Sequence, residues 1–115
     1  LKNRNEIFVV KDEIGSPTNA LDLSRAILEI IPRLSNSKTE IYHFSNLGQC
    51  SRYELAKKIK EIIKSESIVS VSTQKFSKIK RPKFSVLNSS KIIENFKLSI
   101  KTWDISLEGH LKKQY

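Results

Sequence analysis

Tyr53 and Lys57 stand four residues apart on what reads as a helix, a spacing that sets a phenol beside an ammonium group and could make it a proton donor. Such a pair also arises by chance in a chain with 21 lysines and arginines, and no cofactor-bearing strand precedes it. Packing of the Tyr53 ring near a helix start explains it as well, so no catalytic residue is assigned. Ser16, Thr18, Ser45 and Ser51 place hydroxyls near the ends of elements, yet none has a histidine or acidic partner at the spacing that activates a nucleophile. One cysteine, Cys50, and two histidines, His43 and His110, are too few for a thiolate and imidazole zinc site. Asp12, Asp22, Glu54 and Glu61 show no ligand grouping for a harder metal.

Binding chemistry is better represented. The three glycines, Gly15, Gly48 and Gly109, are too scattered to build a dinucleotide fingerprint or a triphosphate loop, so no cofactor-binding residue is assigned. Arg81 precedes Pro82, and a guanidinium matches phosphate oxygens with paired hydrogen bonds while the proline limits the motion of its surroundings. The same dipeptide also suits an ordinary exposed arginine. In Gly15-Ser16-Pro17-Thr18 the glycine opens unusual backbone angles, and Pro17 fixes its own φ and pushes Ser16 toward an extended form. That loop can aim two hydroxyls at a ligand, or simply form a cap and turn.

The net charge of +9 attracts phosphate-bearing partners without identifying them. Lys75, Lys78, Lys80, Arg81 and Lys83 interleave with Phe76 and Phe84, a superficial likeness to a nucleic-acid surface. Lysines are spread along the whole chain, however, and a small phosphorylated ligand accounts for the charge equally well. A length of 115 residues suits one small domain or a piece of a larger one. A lone cysteine excludes an internal disulfide and suits a reducing compartment, so the cytoplasm is expected. No apolar run approaches the roughly 20 residues of a membrane span, and the first residues lack the apolar centre of a secretory signal.

The elements that must carry these groups alternate. Ile7 to Val10 reads as a strand, broken by the loop Lys11 to Pro17. Leu23, Ile27, Ile30, Ile31 and Leu34 recur on one face of a helix that Asn19 or Thr18 can cap and Pro32 disturbs. Ile41 to Ser45 reads as a short strand. Ser51 and Glu54 form a capping box for a helix whose apolar stripe is Leu55, Ile59, Ile62 and Ile63. Ile68 to Val71 suggests a strand, Thr73 to Lys83 a loop and Phe84 to Leu87 an extended run. Helices are expected at Ser90 to Phe96 and from Thr102 to about Lys113, the last anchored by Trp103. Strand followed by helix, twice over, is the pattern of an α/β protein.

Taken in order, the segments Val9 to Thr18, Ala20 to Leu23, Ile41 to Asn46, Gly48 to Ala56 and Arg81 to Leu87 resemble the C-terminal portion of dTDP-4-dehydrorhamnose reductases, members of the extended short-chain dehydrogenase/reductase group. The resemblance spans nearly all of the chain. It implies an α/β fold: the C-terminal part of an NAD(P)-binding Rossmann-type reductase, including the smaller substrate-binding domain, without the N-terminal cofactor-binding half. Residues 1–115 would be that substrate-binding portion, with 41–46 a late strand of the main sheet. Full-length members use NADPH or NADH to reduce the 4-keto group of dTDP-4-dehydro-L-rhamnose, giving dTDP-L-rhamnose for surface polysaccharide. Their glycine fingerprint and their catalytic tyrosine and lysine lie upstream of the matched region, so this segment alone is expected to bind no cofactor and to be inactive.

The resemblance implies that Ser16, Pro17 and Thr18 shape a loop near the sugar nucleotide, and that Arg81 meets its phosphates or steadies the loop that does. The implied partners are a dTDP-linked 4-keto sugar and the N-terminal half of the reductase, with room for a homodimer in the intact protein. The chain departs from the family's usual pattern: Arg52 stands where tryptophan is usual, Asn88 where aspartate is common and Lys97 where glycine is common, and the tyrosine and proline usual ahead of the arginine and proline pair are not evident between Thr73 and Lys80. Two other readings are a non-catalytic regulatory subunit on a reductase-like fold and a small basic nucleic-acid-binding domain.

Overall fold

The computed structural model describes residues 5–35, 38–72 and 80–114. The apolar run near the start forms β1, Glu6–Val10, and pairs in parallel with β4, Ile68–Ser72, from Glu6 opposite Ile68 to Val10 opposite Ser72. Both strands are rich in β-branched residues, which suit a pleated surface. The predicted loop after β1 contains a further strand, β2, Ile14–Gly15. It lies between β3, Cys50–Ser51, running antiparallel, and β5, Phe84–Ser85, running parallel. Three segments far apart in sequence therefore converge on two residues, and Ser16 to Thr18 leave directly from that junction.

Helix α1, Ala20–Ile30, starts at Asn19, whose Oδ1 accepts a 2.9 Å hydrogen bond from the Leu21 N–H; of the two candidate caps, the asparagine serves. A single 3-10 turn, Ile31–Arg33, follows, with Pro32 near its start. Helix α2, Arg52–Ile63, begins with the full Ser51 and Glu54 capping box. Helices α3, Ser90–Phe96, and α4, Trp103–Gln114, lie close to their expected limits.

Ala26, Ile92, Phe96 and Leu98 form a buried cluster, with Ile30, Tyr42, Phe44, Ile93 and Ile100 packed against it. The Tyr42 and Phe96 rings meet edge to face, 5.2 Å between centroids. Helix α2 packs on the parallel pair of β1 and β4 and on α4. The molecule measures 53 × 34 × 18 Å, and a body 18 Å thin has room for little more than one layer on another.

That thinness corrects the reading of α1. Ile27, Ile31 and Leu34 are exposed, Leu28 is 70% exposed, and Ala26 takes the most buried position. Successive residues turn by about 100° around a helix, so Leu23, Ala26 and Ile30 form one face, toward the cluster, while Leu21, Ile27, Leu28 and Ile31 form a second apolar face turned outward. The periodicity merged the two.

The expected strand at 41–45 is irregular chain here. A strand exists only with a ladder partner, and among the described residues none pairs with 41–46, although Ile41 is 74% exposed. Beyond it, Leu47 bridges Thr102 in parallel fashion, with the Leu47 N–H 3.0 Å from the Lys101 carbonyl and the Trp103 N–H 2.9 Å from the Leu47 carbonyl.

Candidate functional site

The junction around β2 opens onto a cavity of about 500 Å³. Ser16 and Pro17 line one side and Arg81 and Pro82 another, so three of the four residues singled out from sequence, Ser16, Pro17 and Arg81, share one hollow. Local hydrogen bonds explain the convergence. The Ile14 N–H donates to the Lys83 carbonyl at 2.8 Å, and the Leu87 N–H donates to Ser16 Oγ at 3.0 Å. The segment from Arg81 to Leu87 is thereby laced to the 14–16 backbone.

Thr18, the fourth residue, lies next door. It lines a hollow of about 470 Å³ with Trp103, Leu107 and His110, and its hydroxyl donates to the Ser16 carbonyl at 3.3 Å. Pro17 and Leu55 border both spaces, so the loop forms a ridge between a compartment carrying charge and a more apolar one. The two loop hydroxyls thus hold the turn together, and the cavity's positive charge comes from its arginines.

Periodicity gave no sign of the other residues around the first cavity. Arg52, at the first turn of α2, meets Glu13, at the entrance to β2, with Nε 3.1 Å from Oε2. Both line the cavity, together with Cys50, Ser51 and Leu55. The capping box announced where α2 starts, but only the pairing of β2 with β3 places that start beside Glu13. Cys50 is buried; burial first, and then the nearby Glu54 charge, push its thiol up to about 11, so it stays protonated at neutral pH.

Behind the loop lies a polar knot. Asn46, 1% exposed, accepts from the Asn19 N–H at 2.7 Å and donates to Asp22 Oδ2 at 2.8 Å and to the Lys101 carbonyl at 3.2 Å. Ser106 accepts from Asn19 Nδ2 at 3.0 Å and donates to the same Asp22 oxygen. Burial raises the Asp22 pKa, but the hydrogen bonds from Ser106 and Asn46, with the Lys101 and Arg25 charges, outweigh it and hold the carboxyl below its ordinary value. This knot fixes the exit of the Ser16 to Thr18 loop into α1.

Lys57 Nζ lies 5.5 Å from the centroid of the Tyr53 ring, so this pair stacks along one helix face. Of the basic cluster, Lys75, Phe76 and Lys78 lie outside the described residues, whereas Lys80, Arg81, Lys83 and Phe84 are exposed. Among the described residues no group of three or more histidines, cysteines, aspartates and glutamates is placed to hold a metal, and no helix is long and apolar enough to cross a membrane.

The glycines do not form a dinucleotide cradle. A Cβ on Gly15 would meet Ser85 Oγ at 3.2 Å, Gly48 backs onto Trp103, and Gly109 sits in mid-helix facing open space. The residues present therefore do not fit the pyrophosphate of a nicotinamide cofactor, which needs closely spaced glycines at a strand-to-helix turn.

The profile of the RmlD substrate binding domain matches residues 1–115. The chain is 37% identical to the spore coat polysaccharide biosynthesis protein SpsK of Bacillus subtilis (strain 168), over 98% of this chain and 39% of that protein. It is 28% identical to a dTDP-4-dehydrorhamnose reductase of Aggregatibacter actinomycetemcomitans, over 94% of this chain and 40% of that protein. Among solved structures, the dTDP-4-dehydrorhamnose reductase of Bacillus anthracis str. Ames in complex with NADP superposes with a TM-score of 0.84 and 36% identity, covering 98% of this chain and 39% of that one. The Clostridium acetobutylicum ATCC 824 ortholog gives the same TM-score at 29% identity, covering 96% of this chain. The chain thus spans about two-fifths of the length of the relatives it matches, and its α/β fold is that of the substrate-binding part of this kind of reductase. With the family profile covering every residue, the chain belongs to the RmlD substrate binding domain family.

Proposed function

We propose that this chain is the substrate-side portion of an NAD(P)H-dependent dTDP-4-dehydrorhamnose reductase, and that the whole enzyme reduces dTDP-4-dehydro-L-rhamnose to dTDP-L-rhamnose. The carrying observation is the cavity at β2, where Ser16, Pro17 and Arg81 meet although 65 residues separate Ser16 from Arg81 in sequence. In this reading Arg81 binds the diphosphate of the sugar nucleotide, and Ser16, Pro17 and Thr18 form the ridge that orients it. The 4-keto carbon is then presented to a hydride donor held elsewhere in the enzyme, so the contribution of these residues is proximity and orientation. NADPH or NADH belongs, on this proposal, to the part of the enzyme outside this chain, because the glycines here make no cradle for it.

The outward apolar face of α1 and the unpaired segment 41–46 support the same division. We assign 41–46 to the edge of a larger sheet and the Leu28 and Ile31 face to the helix layer covering it, both supplied with partners by the rest of the reductase. A lone buried thiol is consistent with work in the reducing cytoplasm.

The test is titration of the chain with dTDP-L-rhamnose, followed residue by residue by NMR. Shifts concentrated at 14–18 and 81–87 are expected, with no NADPH oxidation when NADPH and dTDP-4-dehydro-L-rhamnose are supplied together. Saturable shifts elsewhere, or hydride transfer by this chain alone, would sink the reading.

A further inference from the structure

We infer that Arg52 is a second phosphate-binding guanidinium of the β2 cavity, held in place by Glu13, and that it makes the cavity selective for a diphosphate over an uncharged nucleoside. This rests on the reading of the cavity as a sugar-nucleotide site, and adds a residue that neither the glycine pattern nor the basic cluster points to.

Three observations carry it. First, the charged side chains lining the cavity are Glu13, Arg52 and Arg81, two cations and one anion. A nucleoside diphosphate ester carries one negative charge on each of its two phosphates, so the cavity's net positive charge has the right sign and its two guanidiniums offer one to each phosphate. Second, the Arg52 ion pair with Glu13 runs through Nε at 3.1 Å. A guanidinium has five N–H donors in a fixed fork, and engagement at Nε leaves four on the two terminal nitrogens for oxygens of a ligand. Third, the pair is asymmetric. The Arg52 side chain is 57% exposed and that of Glu13 25%, so the carboxylate is the seated member and the guanidinium the one that reaches solvent. An exposed ion pair by itself stabilises the fold little, which leaves ligand contact as the larger effect of an arginine at this position.

The experiment is calorimetric titration of the 115-residue chain at low ionic strength with three probes: thymidine diphosphate, inorganic pyrophosphate and thymidine. Arg52→Ala is expected to weaken both phosphate-bearing probes about tenfold, the loss of one charge-assisted contact, and to leave thymidine unchanged. Arg52→Lys keeps the charge but not the fork and is expected to restore part of the loss. The salt dependence of thymidine diphosphate binding should be shallower in Arg52→Ala than in the wild type. Equal loss for thymidine and thymidine diphosphate would make Arg52 merely structural, and unchanged thymidine diphosphate binding in Arg52→Ala would remove it from the site; either result overturns the inference while the sugar-nucleotide reading stands. Absence of thymidine diphosphate binding in the wild-type chain would overturn both.

Discussion

A Cβ placed on Gly48 would lie 3.1 Å from Cδ1 of Trp103, and Gly48 itself has φ of +88°. The turn into β3 thus packs directly on the indole that opens α4, next to the backbone bonds joining Leu47 to Lys101 and Trp103. Glycine is required twice over, for the positive φ and for the close approach. Gly48→Ala should therefore lower stability by about 1–3 kcal/mol, combining left-handed strain with crowding of the ring. A urea melt followed by Trp103 fluorescence checks this, and an unchanged midpoint would mean that the turn does not rest on the indole.

Lys97 closes α3 in the left-handed conformation, with φ of 51°. Glycine adopts that backbone freely, whereas a residue with a Cβ is strained there. Lys97→Gly is expected to raise stability by up to about 1 kcal/mol, the relieved strain exceeding the added freedom of the unfolded chain. Lys64, with φ of 53° at the end of α2, offers an independent repeat of the same test. Loss of stability in both glycine variants would show that the lysine side chains contribute more than the strain costs.

Asn88, Lys97 and Arg52 show what a linear reading can and cannot deliver. Asn88, one residue before the α3 cap Ser89, accepts the Ser90 N–H at 2.9 Å, a bond that an aspartate carboxylate can equally accept. Lys97 stays in place at a cost in strain. Arg52 acquires a partner, Glu13, that is 39 residues away in sequence, and only strand pairing reveals it. In the same way, β1, α2, its capping box and α3 were legible because local periodicity and caps define them, and β5 lies within the expected extended run Phe84 to Leu87, while β2 and β3 are two-residue strands with no pattern to read. The cavity was legible in part, because Ser16, Pro17 and Arg81 carry distinctive local chemistry. The face on which α1 buries its residues was not, since a helix with apolar groups on two sides has no single direction for its stripe.

Asp22 gives the fold an acid-sensitive point. Its carboxyl is held below the ordinary range, so ionised Asp22 stabilises the folded state at pH values above the unfolded carboxylate's pKa, and that contribution disappears as pH falls through the lowered folded value. Stability measured between about pH 5 and pH 2 should fall more steeply in the wild type than in Asp22→Asn, where no charge is titrated. Asn46→Ala removes the Nδ2 amide that donates to both Asp22 and the Lys101 carbonyl and the Oδ1 that accepts from the Asn19 N–H, and should cost about 2–4 kcal/mol at neutral pH. Parallel pH profiles for wild type and Asp22→Asn would show that the carboxylate has the same environment folded and unfolded.

Cys50 reports the packing of β3 against α2 through its own reactivity. Its thiol is raised to about 11, chiefly by burial and then by the Glu54 charge. The thiolate is the reacting species, so at pH 8 the folded chain should react with a disulfide reagent on the order of 100-fold more slowly than the urea-unfolded chain. Neutralising the nearby charge with Glu54→Gln should speed the folded-state reaction modestly, because burial is the larger cause and persists. Folded and unfolded chains reacting at the same rate would mean that β3 opens readily, and the wall of the cavity that carries Arg52 would open with it.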